Sequence, residues 1–176
     1  MLRNGEIMRF KKTIETRRLK IEPIALKDSM FVKILLNTEG WKRNIGDRNI
    51  NSLEDAEIYI QKIIINKNYS FRVARLKENN YPVGIVSLIK RERHQYPDIG
   101  FAFLPEYNGK GYAYEAARAL LDRIIGERIW SNIIAITIPA NSSSIKLLEK
   151  LGLKYQNVYE ENGETLALYS LHEGCD

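Results

Sequence analysis

One cysteine stands in this 176-residue chain, Cys175, beside the C-terminal residue. No disulfide can form within the chain, and a reducing, cytoplasmic setting is expected. Histidine is almost as scarce. His94 sits among Arg91, Glu92 and Arg93 with no second histidine or carboxylate cluster nearby, so no metal is expected there and it reads as a surface residue. No apolar run approaches the roughly 18 residues that a membrane span requires. Residues 1–12 lack the long apolar core of a secretory signal and read as a disordered basic lead-in. Internal repeats and low-complexity tracts are absent. So is any Gly-x-x-x-x-Gly-Lys-Ser/Thr loop, which excludes a P-loop kinase or ATPase.

What is present describes one globular unit. Hydrophobic residues make up 44% and charged residues 28%, the balance of a folded, water-exposed domain long enough to bury a core. We expect one domain over residues 13–171, with 172–176 as a tail. The net charge of +5 invites a nucleic-acid partner. Yet the cations are dispersed in small clusters, Lys11-Lys12, Arg17-Arg18 and Lys90-Arg91, without the interleaved aromatics of a single-strand platform. They read as solvated surface, and no nucleic acid and no membrane is expected as partner.

Periodicity and punctuation predict a mixed α/β fold with a largely antiparallel sheet. A strand over 17–22 ends at Pro23, a helix spans about 28–37, and a loop runs through Gly40, Trp41 and Gly46. Ser52-Leu53-Glu54-Asp55 resembles a capping box that opens a helix to about Asn66. Strands 70–77 and 82–91 pair as a hairpin, 98–104 is the central strand, and a helix occupies 112–126. A strand over 132–138, a helix over 141–151 and a hairpin of 154–160 with 164–171 complete the chain.

The central strand leads through Leu104-Pro105-Glu106-Tyr107-Asn108 into Gly109-Lys110-Gly111 and then the helix of Ala116, Ala117, Leu120, Leu121 and Ile124. A strand feeding a helix start through two glycines gathers unpaired backbone N–H groups at the positive end of the helix dipole, which suits a phosphate. A dinucleotide fingerprint fails, because Tyr114 stands at its third small position. Asn108-Gly109-Lys110-Gly111-Tyr112-Ala113 resembles the acyl-CoA loop Gln/Arg-x-x-Gly-x-Gly/Ala of the GNAT N-acetyltransferases, with Asn108 in place of the long Gln or Arg. Downstream, Asn141-Ser142-Ser143-Ser144-Ile145-Lys146-Leu147-Leu148-Glu149-Lys150-Leu151-Gly152 resembles that family's second motif. Its residues serve equally as an N-cap, a buried stripe and a C-cap. Thr16-Arg17-Arg18-Leu19 is similar to the Thr-x-Arg-Leu opening of the RimJ/RimL-like branch.

The resemblance implies a GNAT fold whose central strand and the strand at 132–138 run parallel and splay, with the cofactor in the gap. It implies acetyl transfer from acetyl-CoA to a primary amine of a small molecule or a protein N-terminus, by a monomer or homodimer. Cofactor contacts are then expected from Phe103, Leu104, Asn108, Gly109, Lys110, Gly111, Tyr112, Ala113, Asn141 and Lys146, with free N–H groups at Phe103 and Leu104. Asp98, opening the central strand, is the candidate base. The family's usual tyrosine is missing from 147–153, which leaves Ser144 as the hydroxyl for the departing thiolate. Trp41 and Arg48 fall where the family closes over its acceptor, and Trp41 reads equally as a core residue. Two other readings stay open: a non-catalytic acyl-CoA-binding sensor on the same fold, and a basic nucleic-acid-binding module.

Overall fold

A computed structural model describes residues 12–172. All of the lead-in 1–12 except Lys12, and all of the tail 172–176 except His172, lie outside the described residues, Cys175 among them.

Eight strands form one sheet in the order β1-β2-β3-β4-β5-β6-β8-β7. They are β1 (Ile14–Glu15), β2 (Leu19–Pro23), β3 (Tyr69–Leu76), β4 (Pro82–Ile89), β5 (Asp98–Phe103), β6 (Ile134–Thr137), β7 (Lys154–Glu161) and β8 (Glu164–Ser170). Every pairing is antiparallel except β5 with β6, which is parallel. Helices α1 (Ser29–Leu36), α2 (Glu39–Asn44) and α3 (Leu53–Ile65) cover one face, and α4 (Tyr112–Gly126) and α5 (Ser142–Lys150) cover the other.

The two faces explain the residue pattern of β5. Its odd positions, Ile99 and Phe103, join the core made with Ala116, Leu120, Ile124, Leu148 and Leu151 of α4 and α5. Leu104 joins the opposite core, built from Phe31, Val32, Leu35, Ala56 and Ile60 of α1 and α3. A strand covered on both faces has no polar side, hence the continuous apolar run. Phe103 needs the glycine beside it: a Cβ on Gly84 would lie 2.3 Å from the Phe103 ring.

Local signals place the helices. Ser52 accepts the Asp55 N–H while Asp55 returns to the Ser52 N–H, so the capping box forms with Asp in the Glu position. Helix α4 spans 112–126 as its periodicity predicts. The β7–β8 turn is made by Asn162 and Gly163, both at positive φ (52° and 80°), the backbone of a two-residue hairpin.

Three expectations change. Strand β2 begins at Leu19 rather than 17, because residues 16–18 form a turn: the Thr16 N–H reaches the Leu19 carbonyl at 2.9 Å, and a short β1 precedes it. The stretch through Trp41 is helical, not a loop. Thr38 caps it by accepting the Trp41 N–H, and a six-residue helix containing a glycine is too short to show a period. His94 is buried, at 6% exposure, its Nε2 lying 3.3 Å from the Tyr159 hydroxyl.

Candidate active site

Strands β5 and β6 share a single register pair, Asp98 with Ile134. Beyond it they part. An unbroken parallel ladder would send the next β6 N–H, that of Ile136, to a β5 carbonyl. Instead the Asp98 carboxylate takes it, Oδ1 accepting at 3.1 Å. Its Oδ2 accepts from Arg91 Nε and Nη2, each at 2.9 Å. Asp98 therefore sits at the vertex of a fork, 5% exposed. Burial lifts its carboxyl to about 6, against the pull of Arg91, the Ile136 N–H and His94.

The fork's inner edge is the unpaired side of β5, which presents N–H and C=O groups together. Leu104 N–H is bonded to the Val83 carbonyl at 2.9 Å, so the free donor expected at Leu104 is not there. In an antiparallel pair alternate residues face the partner. With Leu104 turned toward β4, Phe103 and Phe101 present their N–H groups to the opening side. The side chains of both residues are core, Phe103 on the α4–α5 face and Leu104 on the α1–α3 face.

At the open end lie two helix starts. Gly109 and Gly111 hold φ of 71° and 80°, a region that side chains strain, and Gly111 is the N-cap of α4 with no side-chain cap. The first-turn N–H groups, from Tyr112 through Ala113, are left to a ligand or water. A Cβ on Gly109 would meet nothing within 4 Å, so the loop faces open space on that side. These features fit a phosphate-bearing cofactor. Asn108 and Lys110 flank the loop as exposed residues, and the Lys110 ammonium rests 5.6 Å from the Tyr107 ring.

The second start, α5, is capped differently. Asn141 Oδ1 accepts the Ser144 N–H at 3.2 Å, which spends the Asn141 carbonyl on the helix and leaves its amide N–H₂ for other partners. Ser144 is half-buried one turn inside, and Lys146 is exposed. On the opposite face of the sheet Trp41 is buried, 6% exposed, in the α1–α3 core. Its indole Nε1 has no hydrogen-bond partner among the described residues. Arg48, in the following loop, is exposed and acts on the Tyr59 hydroxyl.

Several contributors were not anticipated. Arg91 and Tyr159 surround Asp98 and His94, and the Lys90 ammonium donates to the His94 carbonyl. The Lys90-Arg91 cluster, read as solvated surface, is thus partly structural. Arg18 stacks on Tyr112, its guanidinium carbon 4.1 Å from the ring centroid.

A mixed sheet forked at its parallel pair, with an uncapped glycine-led helix at the open end, defines an acyl-CoA-type transferase architecture. The comparisons agree. A family model described as Acetyltransferase (GNAT) domain matches residues 18–154, and the chain belongs to the GNAT acetyltransferase family, in its RimJ/RimL-type branch. It is 28% identical over 148 residues to the uncharacterized N-acetyltransferase YnaD of Bacillus subtilis (strain 168), covering 84% of this chain and 86% of that protein. It is 36% identical to the uncharacterized protein YkkB of the same strain, over 78 residues, which is 44% of this chain and 45% of that one. Among solved structures, a GNAT-family acetyltransferase from Bacillus anthracis superposes with a TM-score of 0.77 at 26% identity, over 90% of this chain and 97% of the other. RimL, a ribosomal L7/L12 alpha-N-protein acetyltransferase in complex with coenzyme A, superposes with a TM-score of 0.79 at 13% identity, over 90% and 97%.

Among the described residues no helix is long and apolar enough to cross a membrane.

Proposed function

We propose that this acetyltransferase moves an acetyl group from acetyl-CoA to a primary amine of a small molecule or a protein N-terminus, and that residues 13–171 act as one domain in doing so. The observation that carries the reading is the fork between β5 and β6 opening beside the uncapped start of α4. The pyrophosphate lies on the N–H groups of Gly109 through Ala113, where the dipole favours negative charge. Asn108 and Lys110 border it, the Asn141 amide holds the pantetheine arm, and Lys146 lies along the same side. RimL, which shares the fold, binds coenzyme A.

The chemistry follows from the thioester. The amine nitrogen bonds to the carbonyl carbon, charge develops on the carbonyl oxygen, the C–S bond breaks and the thiolate departs. The Phe103 N–H is aimed into the fork to receive the oxygen. Asp98 takes the amine proton through a water on the uncommitted side of Oδ1. A carboxyl held near 6 is a stronger base near neutrality than an ordinary aspartate. Ser144 donates to the thiolate. Much of the acceleration comes from holding amine and thioester together, an effect worth roughly 7–11 kcal/mol in well-oriented pairs. Arg48 shapes the acceptor side, and Trp41, buried in the α1–α3 core, acts there only as support.

The test is a panel of polyamines, amino-acid amines and N-terminal peptides, assayed for thiol release that depends on acetyl-CoA. Release with one class of amine supports the reading. Cofactor binding with no release for any amine would replace the enzyme by a sensor on the same fold.

A further inference from the structure

The Thr-x-Arg-Leu opening plays no part in the chemistry above, yet it is among the most heavily bonded stretches near the site. Thr16 Oγ1 donates to Glu115 Oε1 at 2.6 Å, and the Arg18 backbone N–H donates to the same oxygen at 2.8 Å. Arg18 Nε donates to Glu115 Oε2 at 2.7 Å, and Arg18 Nη1 donates to the Lys110 carbonyl at 3.0 Å. Thr16 also accepts the Leu19 N–H at 2.9 Å, and Leu19 is fully buried. Each residue of the motif thus has a physical task. Together they join the β1–β2 turn to the first turn of α4 and to the glycine loop.

We propose that Arg18 and Glu115 are positioning residues for the cofactor: the β1–β2 turn holds the Gly109–Gly111 loop in its phosphate-binding form and neutralises the Glu115 charge beside it. The proposal rests on the reading of that loop as the acetyl-CoA site. Two considerations carry it. A loop with two glycines at positive φ is flexible unless something outside fixes it, and no side chain caps α4; the Arg18–Lys110 bond does the fixing from the β1–β2 turn. A carboxylate in the first turn also sits where a phosphate is to bind, and like charges repel there unless a cation intervenes. Burial acts to raise the Glu115 pKa, but hydrogen bonds from Thr16 and Arg18 outweigh it and hold the carboxyl below its usual value. Glu115 therefore stays ionised, and Arg18 is what makes that charge compatible with a polyanion.

The consequence is a rescue that packing alone does not produce. Arg18→Ala frees the loop and leaves Glu115 uncompensated. Arg18→Ala/Glu115→Gln frees the loop but removes the repulsion. Acetyl-CoA is titrated calorimetrically into each variant well below its unfolding midpoint, and turnover is read at saturating acetyl-CoA. The expected result for Arg18→Ala is a dissociation constant raised on the order of tenfold or more, with kcat at saturation unchanged, since the freed loop must be ordered again on binding. The double variant should recover part of the loss, and the recovery should shrink with added salt. Arg18→Lys, which keeps the charge but cannot span both partners, should fall between. Folded Arg18→Ala with wild-type affinity, or a double variant weaker than Arg18→Ala, would overturn the proposal. Wild-type protein that does not bind acetyl-CoA overturns the site reading and this proposal with it, whereas normal binding in every variant removes the proposal alone.

Discussion

A carboxylate buried at the vertex of a fork answers to pH in a way a surface one does not. Asp98 is shifted from an ordinary 3.8 to about 6, chiefly by burial. A raised acidic pKa means the folded state prefers the protonated form. The stability it contributes is complete below about 3.8 and is lost as pH rises through about 6. Denaturant curves of wild type and Asp98→Asn at pH 4 and pH 7 should therefore show wild type losing ground to the variant at the higher pH; a difference independent of pH would place the carboxyl outside the buried fork. Catalysis runs the other way, because only the ionised form accepts a proton. Wild-type kcat should climb as pH passes about 6, and Asp98→Asn should lack that limb while binding acetyl-CoA normally. Turnover of the variant equal to wild type at every pH would leave Asp98 as an anchor for Ile136 and Arg91 only. Ser144→Ala calls for a smaller effect. A thiol pKa of about 8.5 already makes thiolate a tolerable leaving group, so a loss on the order of tenfold in kcat is expected, about 1.4 kcal/mol. No loss at all would take Ser144 out of the proton path.

Between elements the tightest fit is Gly84 of β4 beneath Phe103 of β5, where a methyl would come within 2.3 Å of the ring. Gly84→Ala must push Phe103 or bend β4, so the fold should lose about 1–3 kcal/mol, measured as a lower denaturant midpoint. An unchanged midpoint would mean the two strands have slack. This contact was not legible in the sequence, since nothing in Pro82-Val83-Gly84 says which ring lies across it. What could be read were features decided locally: the alternation and periodicity of β3 through α4, the Ser52 capping box and the closing hairpin of 154–160 with 164–171. What could not be read depended on partners distant in the chain. Leu104 looked available to a cofactor until its N–H was found on Val83, twenty-one residues back. Arg18 and Arg91 looked like solvated cations, yet their partners are Glu115 and Asp98. His94 looked exposed, but β7 brings Tyr159 over it. The glycine loop was the reverse case, because glycines at a strand-to-helix junction speak for their own backbone. Trp41 was harder, since a helix as short as α2 hides its cap and its buried ring.

At the scale of the molecule, one sheet separates two cores and, among the described residues, opens where the parallel pair of β5 and β6 parts. The α4–α5 layer supplies both helix starts at the opening, and the α1–α3 layer closes the other face with Trp41 inside it and Arg48 beyond it. Such an arrangement suits a long cofactor held through backbone groups, with side chains left to choose the acceptor. The central claim is that acetyl-CoA sits on the Gly109–Gly111 loop. Gly111 holds φ of 80°, and a Cβ there would lie 3.5 Å from Arg18 Nη2. Gly111→Val therefore strains the turn and crowds the cradle while touching neither core. Calorimetric titration of acetyl-CoA into wild type and into Gly111→Val, each confirmed folded by circular dichroism, tests the claim directly. Saturable binding by wild type and none by the folded variant is the predicted result; equal affinity in both would contradict it.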